Sequence, residues 1–215
     1  MGKSEKSIGI WVGQPFHFIS LALLLILVFF GWRRLGQPYP AAFWIAIAIP
    51  IVHQIFVWLA WRLELNYQST SRTIGFNGYI VLFFLFFGGR FVSLFVLGSL
   101  DADSLNLSVT PRIILTLILI LPGVYAMFSV MKYFGMARAA GADHFDPKYR
   151  SMPLVNEGIF RFTNNGMYLY AFLLFWAFGV GFNSSATLLV AAFSHIFIWV
   201  HFYATEQPDM AYLYG

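Results

Sequence analysis

The chain has 215 residues, of which 60% are apolar and only 10% charged. A soluble domain carries roughly a quarter charged residues, so this composition excludes a soluble enzyme, a disordered chain and an ordinary nucleic-acid binder. The net charge of +4 reflects 13 basic against 9 acidic residues. Membrane orientation accounts for an excess of that size. Cysteine is absent, which rules out disulfides, thiolate nucleophiles and Cys-ligated metals.

A membrane-spanning helix needs about 20 mostly apolar residues. In chain order, Phe16–Trp32 fits one span and Ala42–Trp61 a second. The first is long and leads into Trp32-Arg33-Arg34 rather than a small-residue cleavage pattern, so a removed signal peptide is not expected. Ile74–Leu100 gives a third span, where Gly88-Gly89 beside Arg90 suggests a break. Ile113–Met131 gives a fourth. Phe162–Thr205 then runs 44 residues without Asp, Glu, Lys or Arg. That is the length of two helices, and Gly181-Phe182-Asn183-Ser184-Ser185 supplies a turn near its middle. Two spans near 166–181 and 187–204 follow, the first of them short.

Six spans place both termini on one face. Nine basic residues fall there (Lys3, Lys6, Arg62, Arg72, Lys132, Arg138, Lys148, Arg150 and Arg161) against three on the other (Arg33, Arg34 and Arg112). The positive-inside rule makes the nine-residue face cytoplasmic. The expected fold is an all-α, polytopic transmembrane helical bundle whose C-terminal hairpin forms the cofactor site. Spans 1–3 form an N-terminal part over 1–110 and spans 4–6 a core over 111–215. That core includes the 132–164 loop and the C-terminal tail. Loops of this size are usually functional unless disordered, and the aromatic content here opposes disorder. The Asp143-His144 pair with Asp146 has the look of a metal cluster, but turn capping by Asp is the preferred reading and no metal is expected.

The last hairpin gathers distant polar groups. Asn165 at the start of the fifth helix and Glu206 at the end of the sixth are 41 residues apart, yet the hairpin puts them at one membrane depth. His195, Trp199 and Glu206 share one face of the sixth helix. A helix start offers free N–H groups and suits an anion. A helix end carrying a carboxylate suits a cation. S-adenosylmethionine, with a carboxylate, an ammonium and a sulfonium, fits such a pair. Arg90, a charge within a span, is functional by default, and a lipid phosphate is a suitable partner for it. His53 and His17 are assigned to packing or interface.

The run Leu154-Val155-Asn156-Glu157-Gly158-Ile159-Phe160-Arg161-Phe162-Thr163-Asn164-Asn165-Gly166-Met167-Tyr168 resembles the signature of membrane methyltransferases. That group includes isoprenylcysteine carboxyl methyltransferases and phospholipid N-methyltransferases. The interval from Gly158 to Tyr168 matches, and Glu206-Gln207-Pro208 resembles the closing Glu-Glu-Pro motif with Gln in second place. The resemblance spans roughly 112–215. Asn164-Asn165-Gly166 stands where Arg-His-Pro occurs in the carboxyl-methylating branch, so the phospholipid branch is the nearer one.

The resemblance implies S-adenosylmethionine held by Leu154, Val155, Gly158, Phe160, Asn165, Gly166, Met167, Tyr168, Glu206 and Gln207. It implies Glu206 or His201 as the base, with His144 a further alternative. Arg90 and Trp199 would line the acceptor's place. The expected activity is N-methylation of a lipid amine of phosphatidylethanolamine type, at the cytoplasmic face of a prokaryotic inner membrane. The alternatives are an isoprenylcysteine-like or small-thiol methyl acceptor, a membrane reductase on a related core, and a small transporter. The bilayer and a lipid-like acceptor are the expected partners, with no nucleic acid.

Overall fold

A computed structural model describes residues 7–215, which are helical with no strand among them. Lys3 and Lys6, part of the charge count, lie outside the described residues. Five helices are long and apolar enough to cross a membrane: α1 (Gln14–Arg34), α2 (Pro40–Tyr67), α3 (Gly75–Leu100), α4 (Val109–Phe134) and α6 (Ser185–Tyr214). Between the last two lies α5 (Met167–Gly181), apolar but shorter. At 1.5 Å per residue α5 spans about 22 Å, less than the hydrocarbon core of about 30 Å.

The helix boundaries follow local chemistry. Pro15 and Pro40 sit in the first turns of α1 and α2, where a missing N–H costs nothing. Gln68 ends α2 in the left-handed conformation. The Glu64 carboxylate then accepts from Ser71 N and Ser71 Oγ and fixes the short turn Ser69–Thr73. The α5–α6 hairpin turns at Asn183 (φ 58°), and Ser184 caps α6 by accepting from Thr187 N. Gly88-Gly89 does not break α3, which runs unbroken from Gly75 to Leu100. In lipid no water replaces a lost backbone hydrogen bond, so helix continuity outweighs the roughly 1 kcal/mol that each glycine costs.

In the bundle α2 packs against α3 and α6, α5 against α4 and α6, and α1 against α6. The core joins Phe43 and Ile47 of α2, Leu94 and Leu97 of α3, Phe175 of α5, and Val190, Phe193 and Phe197 of α6. Small residues permit close approach, as membrane packing requires. A Cβ on Gly123 would meet Leu174 Cγ at 2.7 Å, and one on Gly179 would meet the Leu188 backbone N at 3.0 Å. Outward faces such as Leu23, Leu27 and Phe30 of α1 and Leu117, Ile118 and Leu121 of α4 stay exposed, as a lipid-facing surface does.

Polar clamps lock both ends. At one, Asp101 Oδ2 accepts from Ser104 Oγ, Ser184 Oγ and Ala186 N, tying the α3–α4 loop to the start of α6. At the other, Gln14 of α1 donates to Thr205 Oγ1 of α6 at 3.1 Å. Gly13 (φ 81°) lets the chain pass there, since a Cβ would strike the Ala204 carbonyl. The N-terminal segment, the 135–166 loop and the C-terminus therefore share one end of the bundle.

Candidate functional site

Three helices widen into π-helical turns at that end: Val130–Phe134 closing α4, Met167–Ala171 opening α5 and Phe202–Glu206 within α6. Such turns are rare and concentrate at functional sites. Here all three contribute to one cavity of about 120 Å³. Its walls include Gln54 and Trp61 of α2, Phe83, Phe87 and Arg90 of α3, and Met127 and Val130 of α4. Met167 and Tyr168 of α5 and His201 and Glu206 of α6 complete them. At this point the Tyr168 hydroxyl donates to Glu206 Oε2, joining residues 38 apart in sequence. Trp199 and Phe202 hold the Tyr168 ring edge-on, with centroids 5.7 and 5.6 Å away.

Behind Glu206 lies a buried ionic network. Arg62 Nε meets Asp209 Oδ1 at 2.6 Å, both side chains wholly buried. His144 bridges Asp209 Oδ2 at 3.3 Å and Asp143 Oδ1 at 3.0 Å, and Tyr214 donates to Asp143 Oδ2 at 2.9 Å. Trp61 stacks on the His144 ring at 4.0 Å. Arg62 also donates to the carbonyls of Gly9 and Val12. The network thus ties α2, the loop, α6 and the N-terminal segment together. Burial disfavours the His144 cation, but hydrogen bonds to Asp143 and Asp209 outweigh it and push the pKa up to about 9. Burial likewise opposes the Asp143 anion, and its bonds to His144 and Tyr214 prevail to hold it below the usual carboxylate range. Two cations (Arg62 and His144) therefore balance two anions (Asp143 and Asp209). That leaves two charge-bearing residues on the cavity wall without an ionic partner among the described residues, Glu206 and Arg90.

The structure brings Met167, Tyr168, Glu206, His201 and Arg90 to the cavity. It leaves other expected site residues off the cavity wall. Leu154 is 83% exposed and Gln207 is exposed. Val155 and Phe160 pack in a cluster with Val130, Ile159 and Met167, where Phe160 stacks on Phe134. Gly158 (φ 59°) lets the loop cross the end of α4, since a Cβ would sit 2.8 Å from Ser129 Cβ. A Cβ on Gly166 would meet Ile159 Cγ2 at 2.8 Å. Both glycines meet a packing requirement at these positions. Asn165 is half-buried, its N–H bonded to Thr163 Oγ1 at the foot of α5. Trp199 packs behind Tyr168 and does not line the cavity.

Two further expectations are corrected. Glu206 does not end a helix, because α6 continues through it to Tyr214, so no free carbonyls lie there. Helix dipoles therefore do not supply the negative pole, which rests on the carboxylate alone. Arg62, counted among the basic residues of the cytoplasmic face, is buried in the ion pair with Asp209. Asp146 caps a 3₁₀ turn by accepting from Lys148 N. His195 accepts from Trp176 Nε1, an α5–α6 bond within the bundle.

Sequence reasoning missed the cavity roles of His53 and Gln54 and the pairing of Asp209 with Arg62. Their signal was available: His53 and Gln54 are uncommon residues inside an apolar span, and Arg62 and Asp209 are opposite charges at one end of the bundle.

A family model described as phospholipid methyltransferase matches residues 111–215. The resemblance to membrane methyltransferases thus holds over α4, the loop and the α5–α6 hairpin. Comparison with curated proteins and with solved structures finds no match.

Proposed function

We propose, on the premise that residues 111–215 are a phospholipid methyltransferase domain, that the protein transfers a methyl group from S-adenosylmethionine to a lipid amine. On this reading residues 1–110 form a separate part that completes the acceptor's cavity. The observation that carries the proposal is the Tyr168–Glu206 contact on the wall of a largely apolar cavity.

S-adenosylmethionine suits the residues present. It is cationic at the reacting end, and Glu206 is a carboxylate on the cavity wall with no cation of the protein paired to it among the described residues. An open cleft of about 540 Å³ is lined by Asn156, Phe160, Arg161, Phe162, Thr163 and Asn164. On this reading Arg161 takes the donor's carboxylate, and Asn164 and Thr163 its other polar groups. When bound, the donor supplies a methyl group on a sulfonium.

The chain's own work is positional and protolytic. An ammonium has no lone pair, so the acceptor must lose a proton before its nitrogen can attack. Glu206 attracts the acceptor cation and accepts that proton, and the Tyr168 hydroxyl fixes the carboxylate. His201, also on the cavity wall, is the alternative acceptor. The aromatic walls exclude water, which keeps the carboxylate's field strong and the reactants aligned. The basic residues around the loop orient this end toward the cytoplasm, with both termini inside, and a prokaryotic inner membrane is the proposed location.

The test is calorimetric titration of the detergent-purified protein with S-adenosylmethionine, and with NADPH in parallel. Binding of S-adenosylmethionine that weakens in Glu206→Ala supports the reading. Binding of NADPH alone points to a reductase and overturns it. Radiolabelled donor offered with mixed lipids then identifies the acceptor.

A further inference from the structure

The wall of the cavity carries buried polar groups that, His201 as the alternative proton acceptor aside, the methyl-transfer chemistry does not use. His53 and Gln54 of α2, Arg90 of α3 and His201 of α6 are each at most 4% exposed. Both ring nitrogens of His53, both amide atoms of Gln54, Arg90 Nε and His201 Nδ1 have no hydrogen-bond partner. Arg90 makes only a long contact, from Nη2 to the Pro50 carbonyl at 3.4 Å. No carboxylate pairs with it among the described residues. Buried polar groups are nearly always satisfied, and in a bilayer no bulk water can satisfy them. A lone buried guanidinium is costlier still. Six orphaned atoms on four residues that line one cavity mark a place built for a polar ligand.

The chemistry selects the ligand. A guanidinium offers a planar fork of donors suited to phosphate oxygens. The Gln54 amide and the imidazole N–H groups add donors around it. A metal cation would be repelled by Arg90. The position selects the source. Arg90 Nη2 reaches the Pro50 carbonyl in the middle of α2, and Glu206 lies on the wall of the same cavity, so a phosphate at one and an amine at the other can belong to one headgroup. A phospholipid in its leaflet orientation carries its amine outermost, its phosphate next and its tails toward the bilayer centre. Tails can leave between α3 and α4, which pack on α5 rather than on each other. Moreover His53, Gln54 and Arg90 lie outside the segment matched to the family. A donor common to a family is held by its shared segment, and an acceptor by the part that differs.

We propose that Arg90, His53, Gln54 and His201 form the binding pocket for the phosphate of a phospholipid acceptor, sunk below the membrane surface with its amine toward Glu206. The proposal rests on the methyltransferase reading for the acceptor's role, but phosphate binding is measurable without turnover.

The experiment uses the full chain in neutral maltoside detergent. Native mass spectrometry measures binding of dioctanoyl phosphatidylethanolamine, dioctanoylglycerol and octanoate, and calorimetry measures S-adenosylmethionine. A charge-assisted phosphate contact should favour the phospholipid over dioctanoylglycerol by about 10-fold or more. Arg90→Gln should abolish that preference, and Arg90→Lys should keep part of it. Gln54→Leu covers the case in which Arg90→Gln does not fold. An apolar side chain of similar size should raise the apo protein's Tm, because it removes orphaned groups, while it weakens phospholipid binding. A purely structural Gln54 would lower Tm and leave binding unchanged. Equal binding of the phospholipid and dioctanoylglycerol, a phospholipid preference that survives Arg90→Gln, or tighter binding of octanoate overturns the proposal. If S-adenosylmethionine still binds in those cases, the methyltransferase reading stands alone. If only phosphate binding is seen, the pocket stands and that reading falls.

Discussion

Replacing Asp209 by Ala strands the Arg62 guanidinium in a site with no water. The pair is wholly buried at 2.6 Å, and Asp209 also holds His144 at 3.3 Å. Removing one partner of such a pair typically costs about 3–5 kcal/mol, mostly the cost of the charge left behind. For a chain of this length each kcal/mol shifts Tm by about 2–4 °C, so a fall of roughly 10 °C is expected. Tryptophan fluorescence in detergent reads it directly, since Trp58 and Trp61 flank the site on α2. The carbonyls of Gly9 and Val12 still accept from Arg62, which sets the lower end of the range. The double variant Arg62→Met/Asp209→Leu removes both charges and should recover most of the loss. A single variant that melts within 2 °C of the wild type, or a double variant no better than the single, would refute the view that ion pairing holds this end together.

Three further outcomes follow from the same contacts. The His144 pKa is about 9 in the folded chain against 6.5 unfolded. Its charge therefore stabilises fully below pH 6.5, and the contribution of about 3 kcal/mol is lost as pH rises through 9; melting curves at pH 6 and 9.5 should separate, and His144→Gln should remove the difference. Asp101→Ala leaves three donors unmet, Ser104 Oγ, Ser184 Oγ and Ala186 N, and should cost about 2–4 kcal/mol in denaturation without altering ligand binding at the other end. Glu206→Gln should lower methyl transfer by about 100-fold and shift its pH profile, whereas Tyr168→Phe should lower it by about 10-fold with KM nearly unchanged; equal losses in the two would argue against Glu206 as the proton acceptor.

The sequence by itself determined the class of fold, because hydrocarbon thickness fixes how long an apolar run must be and turn residues mark where it reverses. The Asn183-Ser184 turn, and the common end shared by the segment that begins at Ser7 and the C-terminus, were legible for that reason. The hairpin geometry brought Asn165 and Glu206 to one membrane depth in the sequence reading, but that Tyr168 is the residue bonded to Glu206 came only from the structure. Tertiary structure alone decided what those side chains meet. Whether α6 stops at Glu206 depends on a π turn and on Asp209 finding Arg62, and local propensity contains neither. Gly158 and Gly166 stand in a motif, and the close approach to Ser129 and Ile159 that each permits appears only in the packed structure. His53, Gln54 and Arg90 stand out in sequence as polar residues within spans, yet whether each is satisfied or stranded depends on what other helices place beside it. Hydrophobic length is a property of each segment, whereas the fate of a buried charge belongs to the whole packed bundle.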